Sequence, residues 1–176
     1  MKFAVISCSA SSPSVSRTGA TFAGKYLREK GHSVEIFDIQ SLPLFRVTSE
    51  KMNGAPPEIV DLYTKVGDSD GVILCYPIYC YTASASAKAL TELLGPQLKE
   101  KPVATIVGAG SLRSLLATGD LMLSMMFEQS TFCFPKSVLL TSDDLEDGEV
   151  TGEPVQRLGE FCDGFARFTQ CLKDYV

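Results

Sequence analysis

A parallel α/β sheet with helices on both faces is the fold class this sequence predicts, and three observations predict it. Five apolar runs recur along the chain, separated by longer segments with helical spacing or capping residues. Two of these runs, residues 71–76 and 102–107, are continuously apolar, as strands covered on both sides must be. The length of 176 residues with 45% hydrophobic content suits one domain, residues 1–176, with a sizeable core.

The first strand is read over residues 3–6 and runs into a loop of Ser7, Cys8, Ser9, Ser11, Ser12, Ser14 and Ser16, closed by Arg17 and Thr18. Residues 17–30 then read as a helix ended by Gly31, with Phe22, Tyr26 and Leu27 near one face. Residues 33–38 alternate apolar and polar, as in a strand with one partly exposed face. A helix over 57–68 opens on proline, spaces Ile59, Val60, Leu62, Tyr63 and Val66 helically, and stops near Gly67. Strand 71–76 follows, then a helix over 84–94, strand 102–107, and a helix over 112–127 with Leu115, Leu116, Leu121, Leu123, Met125 and Met126. The fifth strand is placed around 137–140, a start before Pro135 being open, and the last helix over 153–174.

Right-handed crossovers leave few topologies for this order. Two doubly wound sheets compete, and five strands at this length favour the flavodoxin-like three-layer sandwich, strand order 2-1-3-4-5, over the Rossmann sheet. Gly108 and Gly110 supply two glycines of a dinucleotide fingerprint, but the third is missing. The acid that would bind ribose, Glu128, falls inside a helix rather than at a strand end.

Composition narrows the function. Sixteen basic against 21 acidic residues leave a net charge of −5, which argues against nucleic acid or an anionic membrane as the main partner. No stretch is long enough to span a bilayer, and Ser7 interrupts the first apolar run too early for a secretory signal. Most of the six cysteines sit in apolar runs, where a reduced thiol acts as a small hydrophobe, so the expected location is the cytoplasm. With one histidine and no C-x-x-C pair, no metal site is expected.

Strand ends concentrate the candidate chemistry. An isolated serine-rich stretch is ordinarily a surface loop. After the first strand of a parallel sheet and before a helix, its hydroxyls and backbone N–H groups form an anion cradle. The third strand ends in Tyr76, Pro77, Ile78, Tyr79, Cys80, Tyr81 and Thr82, and the fourth in Gly108, Ala109, Gly110 and Ser111. All three ends lie on one edge, bringing hydroxyls, ring faces and bare backbone to a single crevice. Such a crevice suits a flat aromatic carrying a phosphate, and flavin mononucleotide (FMN) fits it. Taken singly, each tyrosine is ordinarily a packing residue; the cluster points to the ligand.

The segments AVISCSASSPSVSR, DGVILCYPIYCYTASASAKALTELL and KPVATIVGAGSLRSLLA resemble the NADPH-dependent FMN reductase family, most of all its alkanesulfonate-utilisation type, from about Lys2 to Ala117. The resemblance implies that Ser9, Ser11, Ser14, Val15 and Ser16 surround the FMN phosphate, with Val15 offering its N–H. It further implies that Pro77, Ile78, Tyr79 and Cys80 line the isoalloxazine, and that Gly108, Gly110 and Ser111 meet its other side. Cys8 stands where the family often has glycine and Ser11 where it often has arginine, which removes a charge-assisted contact and implies a readily released flavin. Arg17 is the candidate replacement, and Arg113 a candidate for the NADPH phosphate.

As an FMN reductase the chain would transfer hydride from NADPH or NADH to flavin N5, with no catalytic side chain; none of the three loops holds a histidine or carboxylate. Backbone N–H groups near Tyr79 and Cys80 would face N5. Reduced flavin would pass to a partner such as a flavin-using monooxygenase or act on a quinone, an azo compound or a metal oxyanion. A flavodoxin-type electron carrier is the alternative, disfavoured by the lack of an acidic cluster in the third loop and of any tryptophan. A phosphatase loop led by Cys8 requires arginine at its sixth following position, where Ser14 stands. The apolar segment 115–127 predicts a homodimer or homotetramer, with core filling as its rival. His32 is expected to be exposed, and the acids Asp143, Asp144, Glu146, Asp147 and Glu149 to form a solvated loop able to select against anionic acceptors.

Overall fold

Strands β1 (Lys2–Ser7), β3 (Gly71–Tyr79) and β5 (Pro102–Gly108) are buried almost from end to end, which is why their sequences carry nearly unbroken apolar runs. In the computed structural model, which describes residues 1–43 and 52–175, they form the middle of a parallel sheet. Strands β2 (Ser33–Asp38) and β6 (Phe132–Leu140) are its edges, in the order β2-β1-β3-β5-β6. Counting the parallel strands alone, this is the 2-1-3-4-5 order expected. A two-residue strand β4 (Thr82–Ala83) adds to β3 antiparallel, and the edge strand β6 tolerates Pro135 where its register with β5 shifts.

Helices α1 (Val15–Glu29) and α5 (Glu153–Tyr175) cover one face, where Ala20, Ala23 and Leu27 meet Phe3, Val5, Phe161 and Phe165. Helices α2 (Pro57–Gly67), α3 (Ala85–Leu98) and α4 (Gly119–Gln129) cover the other through Leu62, Leu94, Leu98, Leu121 and Met125. Each large apolar side chain fully buried this way contributes roughly 1.5–3 kcal/mol. Such burial explains why α3 runs four residues beyond the expected end, through Pro96: Leu98 is completely buried, and packing overrides the local breaker.

Three elements depart from the sequence reading. The helix expected over 112–127 is two pieces, a 3-10 helix Leu112–Thr118 and α4. The Thr118 hydroxyl donates to the Leu115 carbonyl (3.1 Å) and Gly119 follows, a local bond and a weak helix former at the break. Strand β3 continues through Pro77 to Tyr79, so the expected loop 76–82 is a hairpin. The acidic segment is a hairpin as well, β7 (Leu145–Glu146) with β8 (Glu149–Val150), turning at Asp147 and Gly148, both with positive φ. Buried Val150 and half-buried Leu145 tie it to the α1–α5 core, so the segment is not simply solvated.

His32 is half-buried rather than exposed. Its ring stands edge-on to Phe3, and Nδ1 lies 3.5 Å from the chain's N-terminal nitrogen. Desolvation, then the N-terminal ammonium, lowers its pKa.

Candidate functional site

The chain leaves β1 toward β2 on one side and returns to β3 on the other, so a crevice opens where the carboxyl ends of β1 and β3 diverge. A cavity of about 250 Å³ occupies it. Its walls are Ser9, Ser11, Pro13, Ser14, Val15 and Ser16 after β1, Pro77, Ile78 and Tyr79 at the end of β3, Gly108, Ala109 and Gly110 after β5, and Ser142 after β6. A roomier groove of about 460 Å³ runs between α3 and α4, lined by Lys88, Glu92, Gly95, Gln129 and neighbours, with no residue from the carboxyl end of a sheet strand. Topology favours the smaller cavity as the ligand site.

The serine loop is held from within. Ser14 caps α1, its Oγ accepting the Arg17 N–H (3.3 Å) and lying 3.2 Å from Ser16 Oγ. This leaves the N–H groups of Val15 and Ser16 among those the first turn cannot satisfy itself. Ser9 is buried and accepts the Ser11 N–H (3.2 Å). Ser11 Oγ lies 3.2 Å from Tyr79 Oη, joining the loop to the end of β3. Below the loop, Ser86 Oγ donates to the Cys8 carbonyl (2.6 Å), and the Cys8 N–H donates to Cys75 (2.7 Å). Burial, against the backbone hydrogen bond to Cys75, pushes the Cys8 thiol up to about 12, so it carries no thiolate and the phosphatase reading fails.

Arg17 does not reach into the cavity as expected. Its Nε and Nη2 fork onto Asp38 at the end of β2 (2.6 and 3.2 Å), Nη2 also donates to the Ser9 carbonyl (2.8 Å), and Nη1 donates to the Ser11 carbonyl (2.5 Å). The guanidinium braces the loop from behind. The register that sets Ser7 beside Asp38 delivers the carboxylate.

Gly108 fixes how closely the third loop approaches. A Cβ there would come within 2.8 Å of the Ser16 backbone nitrogen, so only glycine lets the end of β5 rest against the first turn of α1. A Cβ on Gly110 would meet nothing within 4 Å, leaving that side open. These observations fit the residues to a phosphate-bearing planar ligand: a close, hydroxyl-rich cradle on one side and bare backbone with room beside it on the other.

At the opposite rim, Tyr79 pairs with Thr82 and the two-residue turn between them has Cys80 at φ 50° and Tyr81 at φ 61°. Two left-handed residues in a two-residue hairpin make a type I′ turn, which ordinarily takes Asn-Gly or Asp-Gly. The Tyr81 hydroxyl donates to the Arg113 carbonyl (2.9 Å), and Thr82 Oγ1 bonds Asp120, tying this hairpin to the 112–120 segment.

Of the expected site residues, the fold gathers Ser9, Ser11, Ser14, Val15, Ser16, Pro77, Ile78, Tyr79, Gly108 and Gly110 around one cavity. Cys80, Ser111 and Arg113 are exposed and stand outside its lining, and Arg17 sits behind it. Pro13 and Ser142 line the cavity beyond the sequence reading, and Ala109, read from sequence only as part of the third loop, lines it too. Ser142 is legible only through register: Leu140 pairs with Gly108, so residues just beyond β6 meet the same crevice.

The model of a family described as NADPH-dependent FMN reductase matches residues 1–144. An NADPH azoreductase of Bacillus sp. (strain OY1-2) is 29% identical over 137 residues, covering 76% of this chain and 75% of that protein. Among solved structures, the apo form of an NADH:FMN oxidoreductase (EMOB) superposes with TM-score 0.78 at 18% identity, covering 93% of this chain and 87% of its own. FerB, a flavoenzyme NAD(P)H:(acceptor) oxidoreductase from Paracoccus denitrificans, superposes with TM-score 0.78 at 20% identity, covering 96% and 97%. At these identities the structural likenesses show the fold.

Proposed function

The chain belongs to the NADPH-dependent FMN reductase family, and from that premise we propose how its own residues serve the reaction. It is an NAD(P)H-dependent FMN reductase, an oxidoreductase that works with FMN and a reduced nicotinamide. The hydroxyls of Ser9, Ser11, Ser14, Ser16 and Ser142 and the N–H groups of Val15 and Ser16 receive the flavin phosphate. Pro77, Ile78 and Tyr79 form one wall for the ring system, and Gly108, Ala109 and Gly110 the other.

The observation that carries this reading is the hydrogen-bonded link between Ser11 and Tyr79, which makes phosphate loop and ring wall one cavity. FMN, when bound, supplies the hydride-accepting ring. The protein positions it, and the backbone N–H groups at the end of β3 near Tyr79 and in the loop after β5 would meet the ring's polar edge, where negative charge grows on reduction. Arg113, exposed beside the rim, suits a transient contact to the nicotinamide dinucleotide's phosphate.

The acceptor class we favour is a small oxidised organic molecule such as an azo compound, in keeping with the azoreductase relative, or a quinone, with a metal oxyanion as the inorganic alternative. A flavin-using monooxygenase is the partner a released flavin would serve. The exposed Leu112, Leu115, Leu116, Leu123, Met126 and Phe127, the last 94% accessible, form the face on which a homodimer or homotetramer would assemble. Light scattering that returns a monomer at micromolar concentration would remove the oligomer. No helix among the described residues is long and apolar enough to cross a membrane, and we place the enzyme in the cytoplasm on its six unpaired cysteines, three of them buried.

Purified protein followed for nicotinamide oxidation with and without added FMN tests the proposal. Oxidation that depends on FMN is expected; inert protein under both conditions contradicts it.

A further inference from the structure

The ring wall is held from outside the crevice. The strand pair that carries Tyr79 is two residue pairs long, Ile78 with Ala83 and Tyr79 with Thr82, and it closes on a turn with Cys80 and Tyr81 at positive φ. So short a ladder is not stable by itself, and the turn opposes it.

Side chains and backbone nearby supply the ties. The Ser84 N–H donates to the Pro77 carbonyl (3.1 Å), the Tyr81 hydroxyl donates to the Arg113 carbonyl (2.9 Å), and the Thr82 hydroxyl donates to a carboxylate oxygen of Asp120. Of these three only the last has an ionised acceptor, and such bonds are roughly twice as strong as neutral ones. It also bears on the wall itself. Thr82 pairs with Tyr79, whose hydroxyl lies 3.2 Å from Ser11 Oγ, so a series of contacts runs from the first turn of α4 through Thr82 and Tyr79 to the serine loop. The second carboxylate oxygen of Asp120 accepts the Leu121 N–H (2.7 Å), which fixes the direction of the side chain. Asp120 is exposed and does not line the cavity, so any effect it has on a ligand there passes through Thr82.

We propose that Asp120 is a positioning residue for the flavin: by holding Thr82 it keeps Tyr79 in place as the ring wall and sets the end of β3 against the ring. That role rests on the crevice being the flavin site and extends it to a carboxylate outside the cavity. A carboxylate in the first turn of a helix also steadies that helix on its own account. The two roles separate at Thr82, which belongs to the hairpin and not to α4.

The variants Thr82→Val, Asp120→Ala, Asp120→Asn and the double variant Thr82→Val, Asp120→Ala test the proposal by FMN titration and by steady-state turnover of NADPH at saturating FMN. Valine keeps the branched shape and strand preference of threonine without the hydroxyl. Thr82→Val and Asp120→Ala should each weaken FMN binding about fivefold or more and lower kcat, with KM for NADPH unchanged. The double variant should bind no worse than the weaker single, because both substitutions remove one contact. Asp120→Asn keeps an oxygen acceptor for Thr82 and should recover most of the affinity. In flavin-free protein the amide resonances of Ser11 and Tyr79 should shift in Thr82→Val and Asp120→Ala and return in Asp120→Asn. Weak binding in Asp120→Ala beside wild-type binding in Thr82→Val would confine Asp120 to steadying α4 and overturn the proposal, as would losses that add in the double variant. Wild-type protein that binds no FMN would instead bring down the crevice as flavin site, and this role with it; the flavin-free resonance shifts, which persist in that case, tell the two failures apart.

Discussion

Two hairpins border the crevice, one turning at Cys80–Tyr81 beside the cavity's tyrosine wall and one at Asp147–Gly148 beside its serine wall. Both place two consecutive residues at positive φ. The second does so with the residues such a turn prefers, whereas the first forces a cysteine and a tyrosine into the left-handed region, at a cost of about 1–2 kcal/mol each. The Tyr81 hydroxyl, bound to Arg113, and the Tyr79–Ser11 contact hold the strained turn in place. The contrast teaches that strain is retained where the wall must present aromatic groups and relieved where the chain only has to turn.

The largest effect is expected behind the serine wall. Arg17→Gln removes the fork to Asp38 and two loop carbonyl contacts, and should cost about 1–3 kcal/mol in denaturant unfolding. It should also weaken FMN binding, since the loop itself is loosened. Loss of FMN binding with stability intact would return Arg17 to the role of a phosphate ligand.

The hairpins should answer substitution with opposite signs. Gly148→Ala, at φ 80°, should destabilise by about 1 kcal/mol, and Cys80→Asn should stabilise by a similar amount while lowering flavin-dependent turnover. Thermal unfolding and initial rates on both variants check this. A destabilising Cys80→Asn would remove the strain argument. Midway between the hairpins, Gly108→Ala should press a Cβ against the Ser16 nitrogen and weaken flavin binding, whereas Gly110→Ala should meet no steric obstacle.

How much of this was legible in the sequence follows the same division. The unbroken apolar runs of β1, β3 and β5 and the punctuation between them carried the sheet order, because central parallel strands must be apolar on both faces. The serine loop was legible because its position after β1 is a topological fact. The hairpin at Asp147–Gly148 could have been read from its Asp-Gly pair, which the surrounding acids masked. The turn at Cys80–Tyr81 could not, since neither residue favours it. Arg17's role was hidden for a different reason: its partner Asp38 lies 21 residues away and is brought beside it only by the parallel register of β1 with β2. The break before α4 likewise rests on one hydroxyl contact at Thr118 that periodicity does not see.

The smallest effect lies at the opposite end of the sheet, away from both hairpins. His32 has its folded pKa lowered, chiefly by desolvation, so the unfolded chain takes up its proton first as the solution becomes acidic. Its contribution to stability is therefore full above the unfolded value near 6.5 and is lost as the pH falls through the folded value. The midpoint of thermal unfolding should drop slightly less between neutral and mildly acidic pH in His32→Gln than in the wild type; a larger drop in the variant would reverse the assignment.

The central claim, that the crevice between the serine loop and the end of β3 holds the flavin, is tested most directly by following backbone amide resonances as FMN is added. The amides of Val15, Ser16, Tyr79, Cys80 and residues 108–110 should shift together in one saturable step, with those of Lys88, Gly95 and Gln129 in the α3–α4 groove unmoved. Shifts centred on that groove, with the serine loop silent, would contradict it.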